Sequence, residues 1–336
     1  MKTEIKKRKY LFIPLVLLLL LISSPVGEMY SKYVTKRNAG TINIKVIADR
    51  GPFILDPGTL VNKAMKGVQD ENTVDEKIES VIFGKRYDYL SIVEELEGIN
   101  VDVEHLGKIQ CFRVPNENGG IDIYILSNGD ILANEDCSNM FLNCQALDSI
   151  TFGNINTLNT TDMHHMFSGL SEIKTLDLSK LDTSKVVDMS HMLEKCPNLE
   201  LIDLTSINTS SCENMSFMFY GDTGITEFNI APMDTSLVET MESMLEGCSG
   251  LIDVQMAGAE TNSLLNTKRM FYGCSGLVEI DLSKFDMKNV IDAEDMLGGC
   301  SGLETIYSPI NVNVDVDSFL PVTEGQYWYD MSGVAA

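Results

Sequence analysis

A dipeptide pattern recurs along the second half of this chain at a constant interval. A methionine followed by phenylalanine or leucine occurs seven times, and each occurrence lies 26 residues after the one before. The methionines are Met140, Met166, Met192, Met218, Met244, Met270 and Met296. A constant interval without insertion or deletion indicates a repeat architecture, in which each unit packs against its neighbours. We call the units coils 1 to 7, and a column is the set of residues at one place in successive coils.

Three apolar columns predict a short strand in each coil. In coil 2, Ile173, Leu176 and Leu178 lie seven, ten and twelve residues after the methionine. The other coils keep apolar residues at these places, except that the last column ends at Ser308. The alternation of apolar and polar residues is typical of a strand with one buried face. Parallel stacking of such strands is the arrangement of leucine-rich repeats.

The residues around each methionine predict a short helix. Val186, Met189 and Met192 share one helical face, and Asp182-Thr183-Ser184 before them would supply N-cap side chains. Glycine or asparagine is common three residues after the methionine, which predicts a left-handed turn back into the strand. The expected fold is α/β: a leucine-rich-repeat-like solenoid of seven 26-residue strand–loop–helix coils, preceded by a small α+β capping module.

The chain has eight cysteines, and five of them occupy one column, four residues after the methionine. Leu170 and Asp222 fill the remaining two places, and Cys212 stands in the column of Val186, Val238, Leu264 and Val290. Cysteine therefore alternates mainly with apolar residues, as a small buried hydrophobic side chain does. We expect buried thiols. A disulfide between neighbouring coils, such as Cys248 with Cys274, remains geometrically conceivable.

The regions outside the repeats divide the chain further. Residues 1–40 form an export segment with a linker, 41–136 a small α+β module with an N-terminal capping hairpin, 137–308 the solenoid and 309–336 a C-terminal cap or tail. Within the module, the pattern predicts a strand at 41–48 and helices at 60–68 and 73–82. Strands at 121–126 and 131–132, joined through Asn128-Gly129, predict a hairpin with a type I′ turn.

The N-terminus predicts export. Four consecutive basic residues, 6–9, precede an apolar run from 10 to 22, as in a secretion signal or signal anchor. Basic residues before the run would leave the remainder of the chain outside the cell. The sequence leaves open whether the segment is cleaved or retained as a single membrane anchor. We expect an extracellular or cell-surface location.

The charge distribution favours some partners over others. The formal net charge is −24, but residues 1–40 carry eight basic and two acidic side chains, so the remainder carries −30. Such a surface repels phosphate backbones, so nucleic acid is not an expected partner. A basic protein surface is the ligand that this charge favours. The acidity could also serve only the solubility of an exported protein.

The columns M-[FL]-x2-C-x2-L, with D-T-S and V-x-D-M between them, resemble those of the BspA-type leucine-rich-repeat surface proteins of bacteria, and the stretch 178–189 shows the pattern best. The resemblance spans residues 80–335. It implies a secreted or cell-surface protein of a host-associated bacterium, and some relatives are implicated in adhesion. It supplies no catalytic residues, and the chain has no evident wall-sorting signal.

No catalytic constellation is visible, so we expect neither an enzyme nor a cofactor. His165 and His191 lie 26 residues apart and should stack on adjacent coils, but two histidines alone favour no metal site. Exposed strand positions form the candidate binding stripe. Its members are Asp177, Asp203, Asn229, Gln255 and Asp281 in one column and Glu227, Asp253 and Glu279 in the other.

Three classes of function remain open. The first is an adhesin-like surface protein that recognises another protein of a host or bacterial surface. The second is a structural envelope protein that associates with itself. The third, and the least favoured, is an enzyme with its activity in the N-terminal module, where His105 has no visible nucleophilic partner.

Overall fold

The computed structural model describes residues 52–70, 72–75, 77–313 and 327–329. The export segment and the strand predicted at 41–48 lie outside these residues. The chain divides into two units, Met1–Ala48 and Asp49–Ala336, and every described residue belongs to the second. In the described part, no helix is long and apolar enough to cross a membrane.

The N-terminal part of the described chain contains two α-helices and six strands. In chain order these are β1 (Phe53–Ile54), α1 (Gly58–Lys66), β2 (Ile78–Lys85), α2 (Leu90–Val93), β3 (Ile99–Asn100), β4 (Ile109–Pro115), β5 (Ile121–Ser127) and β6 (Ile131–Leu132). A 3₁₀ turn at Arg86–Asp88 leads into α2. The helix predicted at 60–68 is confirmed by α1, whose C-terminal Gly67 is left-handed.

The repeats contribute a short strand at the predicted place in each coil, and coil 1 has one further strand, which pairs with β6. They are β7 (Ser149–Phe152), β8 (Ile155–Asn156), β9 (Thr175–Leu176), β10 (Leu201–Ile202), β11 (Glu227–Asn229), β12 (Asp253–Gln255), β13 (Glu279–Asp281) and β14 (Thr305–Tyr307). Strand β9 pairs in parallel with β10, and β11 through β14 pair in parallel with one another, with partners 26 residues apart. A final strand, β15 (Tyr327–Tyr329), pairs in parallel with β14.

The N-terminal module and the repeats share one sheet. Its strand order is β3-β4-β5-β2-β7, and β7 belongs to coil 1. Strand β2 is therefore an interior strand, with β5 on one side and β7 on the other, and Val81 and Phe83 are buried. The helix predicted at 73–82 is wrong, because pairing with the parallel strands β5 and β7 holds residues 78–82 extended. Pairing with distant strands outweighs local propensity here.

The predicted hairpin at 121–132 is also wrong. Strand β5 pairs in antiparallel fashion with β4 and in parallel with β2, whereas β6 pairs with β1 and β8 in a different sheet. The Asn128-Gly129 turn therefore passes the chain from one sheet to another. The Gly129 amide donates to the Ser127 hydroxyl at 3.1 Å, and the two flanking strands never pair with each other.

Around each methionine the chain forms successive tight turns rather than the predicted helix. The amides of His165 and Phe167 donate to the carbonyls of Ser190 and Met192 in the next coil, at 3.0 and 2.9 Å. The residue before each methionine is left-handed, with φ from 52° to 60°, and so is the residue three after it, with φ from 57° to 78°. Two left-handed residues per coil interrupt a helix and turn alternate amides towards the neighbouring coil. The left-handed turn predicted at the glycine column is confirmed.

The predicted N-cap motif has a different role. Asp182 Oδ1 accepts from the Ser184 amide at 3.0 Å, whereas Thr183 is buried and its hydroxyl donates to the Asn208 carbonyl at 2.9 Å. The Asn208 amide donates back to the same hydroxyl at 2.8 Å. Equivalent hydroxyl-to-carbonyl bonds recur at Thr157, Thr209, Thr235 and Thr261. This threonine column joins consecutive coils through the interior.

Most of the buried core is one continuous cluster that extends from the N-terminal module through the repeats, and a smaller separate cluster in the module consists of Val93, Phe112, Tyr124 and Leu126. The eight cysteines lie within the described residues, and all are buried free thiols, as predicted. Cys248 and Cys274 donate to the carbonyls of Phe219 and Leu245, at 3.1 and 3.2 Å, so the column adds weak hydrogen bonds to packing. Burial raises the pKa of Cys137 to about 12, which leaves the thiol protonated and unreactive.

Candidate functional site

The predicted stripe is exposed on the strand side of the coils, but it is divided. Asp177 and Asp203 directly follow β9 and β10, which form a two-stranded sheet of their own. The other six members lie on β11, β12 and β13 in a separate sheet. All eight side chains are exposed. The structure therefore brings together six of the eight predicted residues within one sheet.

Parallel register places the six residues in rows. Glu227 on β11 stands opposite Asp253 on β12, and Gln255 stands between Asn229 and Asp281. Glu279 follows on β13, opposite Thr305 of β14. A shallow surface pocket between β12 and β13 is lined partly by Asp253, Gln255, Glu279 and Asp281. These neighbouring carboxylates and amides offer a row of hydrogen-bond acceptors to a basic partner.

Four stripe residues also stabilise their own turns. The side-chain oxygens of Asp177, Asp203, Asn229 and Asp281 accept from backbone amides two residues later, at 2.8–3.0 Å. Two hydrogen bonds from Ser179 hold the pKa of Asp177 below its usual value. This column therefore has a structural role that the strand alternation did not reveal. The other column, Glu227, Asp253 and Glu279, is better suited to test ligand binding.

A second cluster lies in the turn half of coils 2 and 3. The rings of His165 and His191 stack with their centroids 4.2 Å apart, and Phe217 continues the stack 4.5 Å beyond His191. Nδ1 of His191 lies 2.7 Å from Glu194 Oε2, and Nδ1 of His165 lies 3.5 Å from the same oxygen. The sequence predicted the stacked histidines. It did not indicate that a carboxylate would face both rings.

The protonation of this cluster follows from its burial and neighbours. Burial and the adjacent His191 lower the pKa of His165 to about 4, so its imidazole is neutral at pH 7. Burial opposes ionisation of Glu194, but hydrogen bonds from His191 and Lys195 outweigh it and lower the pKa to about 2. The neighbouring His164 instead bonds Asp162 at 2.7 Å, which raises the pKa of His164.

Asp222 is a buried carboxyl in the cysteine column of coil 4. Its side chain has no exposed surface, and Oδ1 accepts from the Cys196 amide at 2.6 Å. Oδ2 has no hydrogen-bond partner among the described residues. Burial raises the pKa of Asp222 well above 3.8, because the charged form would lose its hydration.

Comparison with known proteins agrees with the repeat frame. The family model described as Mycoplasma protein of unknown function, DUF285, matches residues 135–249 and 222–317, which together make up more than half of the chain. The chain belongs to the DUF285 family. No curated protein and no solved structure matches the chain. The DUF285 segment begins next to the first coil, and its description assigns no activity.

Proposed function

We propose that this DUF285 protein is an exported binding protein of the BspA type, with leucine-rich-repeat coils that present an acidic strand face to a basic protein surface. The observation that carries the proposal is the in-register arrangement on β11, β12 and β13. There Glu227 and Asp253 are directly opposite each other, and Glu279 lies on the next strand. Like charges at such spacing repel one another, and a cationic partner would relieve that repulsion.

The overall charge supports the same partner. Residues 41–336 carry a formal charge of −30, which attracts basic surfaces over a distance set by ionic strength. It repels nucleic acid, which we do not propose as a ligand. The basic and apolar N-terminal segment supports export to the cell surface, either as a cleaved signal or as a single anchor.

The test is a capture screen with the full chain against immobilised extracellular matrix proteins and bacterial cells, at low and high salt. A triple variant E227K/D253K/E279K should lose at least about tenfold in affinity for a captured basic protein, because three attractive contacts become repulsive. The matched control is E213K/E239K/E260K, which changes the net charge equally at exposed positions outside the strands.

The outcomes separate three interpretations. Loss in the strand variant with capture retained in the control supports the proposed face. Unchanged capture in the strand variant contradicts it, and equal loss in both variants shows that only net charge matters. Self-association in sedimentation velocity without any capture would favour the structural envelope protein instead.

A further inference from the structure

We propose that His165, His191 and Glu194 bind one divalent transition-metal ion. The site lies in the turn half of coils 2 and 3, away from the strand columns, so it goes beyond the proposed function and stands independently of it. It also revises the expectation, drawn from two histidines alone, that the chain holds no metal site.

The geometry brings three ligand types together. One ligand atom from each of the three residues lies within 4.8 Å of the other two. The closest pair is His191 Nδ1 and Glu194 Oε2 at 2.7 Å, with His165 Nδ1 at 3.5 Å from that oxygen. Ligands of a tetrahedral zinc site, with bonds of about 2.0–2.1 Å, are separated by about 3.3 Å. Small side-chain rotations would therefore suffice to accommodate an ion.

An unsatisfied ring nitrogen supports the proposal. Nδ1 of His165 is buried and makes no hydrogen bond with the described residues. Glu194 Oε2 forms its short contact with His191, while Oε1 is 2.8 Å from Lys195 Nζ. The His165 nitrogen is thus directed towards a carboxylate without bonding to it. Buried polar atoms normally find a partner, and a metal ion held by the same carboxylate would provide one.

The ligand set selects the class of metal. Two imidazoles and one carboxylate suit zinc, nickel, copper or iron, whereas calcium prefers six to eight oxygen ligands. Three protein ligands would leave room for water to complete the coordination. Lys195 competes for Glu194, but its side chain is 65% exposed and can move into solvent when an ion binds.

The left-handed backbone positions the two histidines. His165 and His191 have φ of 52° and 57°, and the same column holds Asn139 with φ of 60°. This repeated conformation turns successive side chains onto one face, where the rings stack. Asparagine is therefore a substitution that the backbone already accepts at this place, which provides variants expected to fold.

The test uses the full chain without an oligohistidine tag, treated with a chelator and then dialysed. Zinc and cobalt are titrated by isothermal calorimetry, and cobalt is also followed by visible absorption. We expect one ion per chain and ligand-field bands without the near-ultraviolet charge transfer of a thiolate ligand. A folded chain that takes up no stoichiometric ion, or one with thiolate charge transfer, would overturn the proposal.

Variants locate the ion. H165N, H191N and E194Q should each weaken binding by at least about tenfold, since even loss of an outer partner of a metal ligand commonly costs 10–100-fold. The control is H164S, because His164 bonds Asp162 and the same column holds Ser138 and Ser190. Zinc should raise the Tm of the parent and of H164S but not of H165N. Full affinity in H165N and H191N, or equal loss in H164S, would refute the site.

Discussion

Glu194 and Glu246 occupy the same column, two residues after the methionine, and both side chains are 11% exposed. Glu246 meets a guanidinium: Arg269 Nε lies 3.0 Å from Oε2, and Nη2 lies 2.5 Å from Oε1. Glu194 instead faces two imidazoles and Lys195. The same repeat position thus holds an ion pair between coils 5 and 6 and the cluster of His165, His191 and Glu194 in coils 2 and 3.

The residue directly before the methionine of the next coil decides which group faces each of these two glutamates. Arg269 lies 23 residues after Glu246, and its guanidinium stacks 3.9 Å above the Tyr272 ring. The residue 23 after Glu194 is Phe217, which brings no charge and stacks on His191. An always-charged guanidinium occupies its carboxylate permanently. The imidazole of His165, which is neutral at pH 7, leaves Glu194 able to share an ion.

The largest effect is expected from a substitution that converts the histidine cluster into an ion pair like that of Glu246. F217R should place a guanidinium beside Glu194 and lower metal affinity on the order of 100-fold, since a ligand is occupied and a positive charge is added. Calorimetric titration measures the change. F217S, which introduces the residue that Ser243 provides in the same column, is the control for loss of stacking and should bind normally. Undiminished binding by F217R would mean that Glu194 is not a ligand.

The buried carboxyl of Asp222 gives the next largest expected effect. D222N keeps the oxygen that accepts from the Cys196 amide and removes the cost of burying a charge, so it should stabilise the protein by roughly 1–3 kcal/mol at neutral pH. Because the folded-state pKa of Asp222 is raised, the parent loses stability as pH rises above 3.8, and D222N should lose less. Denaturant unfolding at several pH values tests this. A destabilised D222N at neutral pH would contradict it.

Breaking the fixed ion pair should cost stability. R269S leaves the mostly buried Glu246 carboxylate without its guanidinium and should destabilise the protein by about 1–2 kcal/mol in denaturant unfolding. Ser243 shows that serine fits this left-handed column. The control K268S removes the contact with the exposed Glu294 and should change stability much less than R269S does, because solvent screens that pair. Equal effects would show that the Arg269 pair has no special role.

The smallest expected effect is a difference in how the stability of the His165 and Arg269 variants depends on pH. The pKa of His165 falls from 6.5 in the unfolded chain to about 4 in the fold, where His164, His191, Glu194 and Lys195 face it. Between these values only the unfolded chain binds the proton, so the metal-free protein loses stability as pH falls. Between pH 7 and 5, H165N should lose about 1 kcal/mol less than the parent. R269S should follow the parent, and identical slopes for H165N and the parent would refute the assignment.

Much of the repeat could be predicted from the sequence, because each coil repeats the same pattern. The strand columns, the left-handed glycine column and the buried cysteines follow from periodicity, which averages over seven units. The helix predicted around the methionines was wrong for a local reason. Apolar residues spaced as in Val186, Met189 and Met192 also suit a chain that turns every four residues, and periodicity does not separate the two.

The N-terminal module occurs once, and its prediction was less successful. Residues 73–82 carry a helical pattern, yet Ile78–Lys85 forms a strand because β5 and β7 lie on either side. Asn128-Gly129 has the composition of a hairpin turn, yet its flanking strands belong to two sheets. Local propensity was outweighed in both places by pairing partners distant in sequence.

For the candidate sites, sequence determined which side chains share a face, and tertiary structure decided which of them meet. A 26-residue interval is sufficient to stack His165 on His191 and to expose the acidic strand columns, because equivalent residues of parallel coils are neighbours. It does not determine where a flexible Glu194 side chain points, or that β10 and β11 belong to separate sheets. Those outcomes depend on packing and hydrogen bonds between coils, and these contacts join residues of different columns.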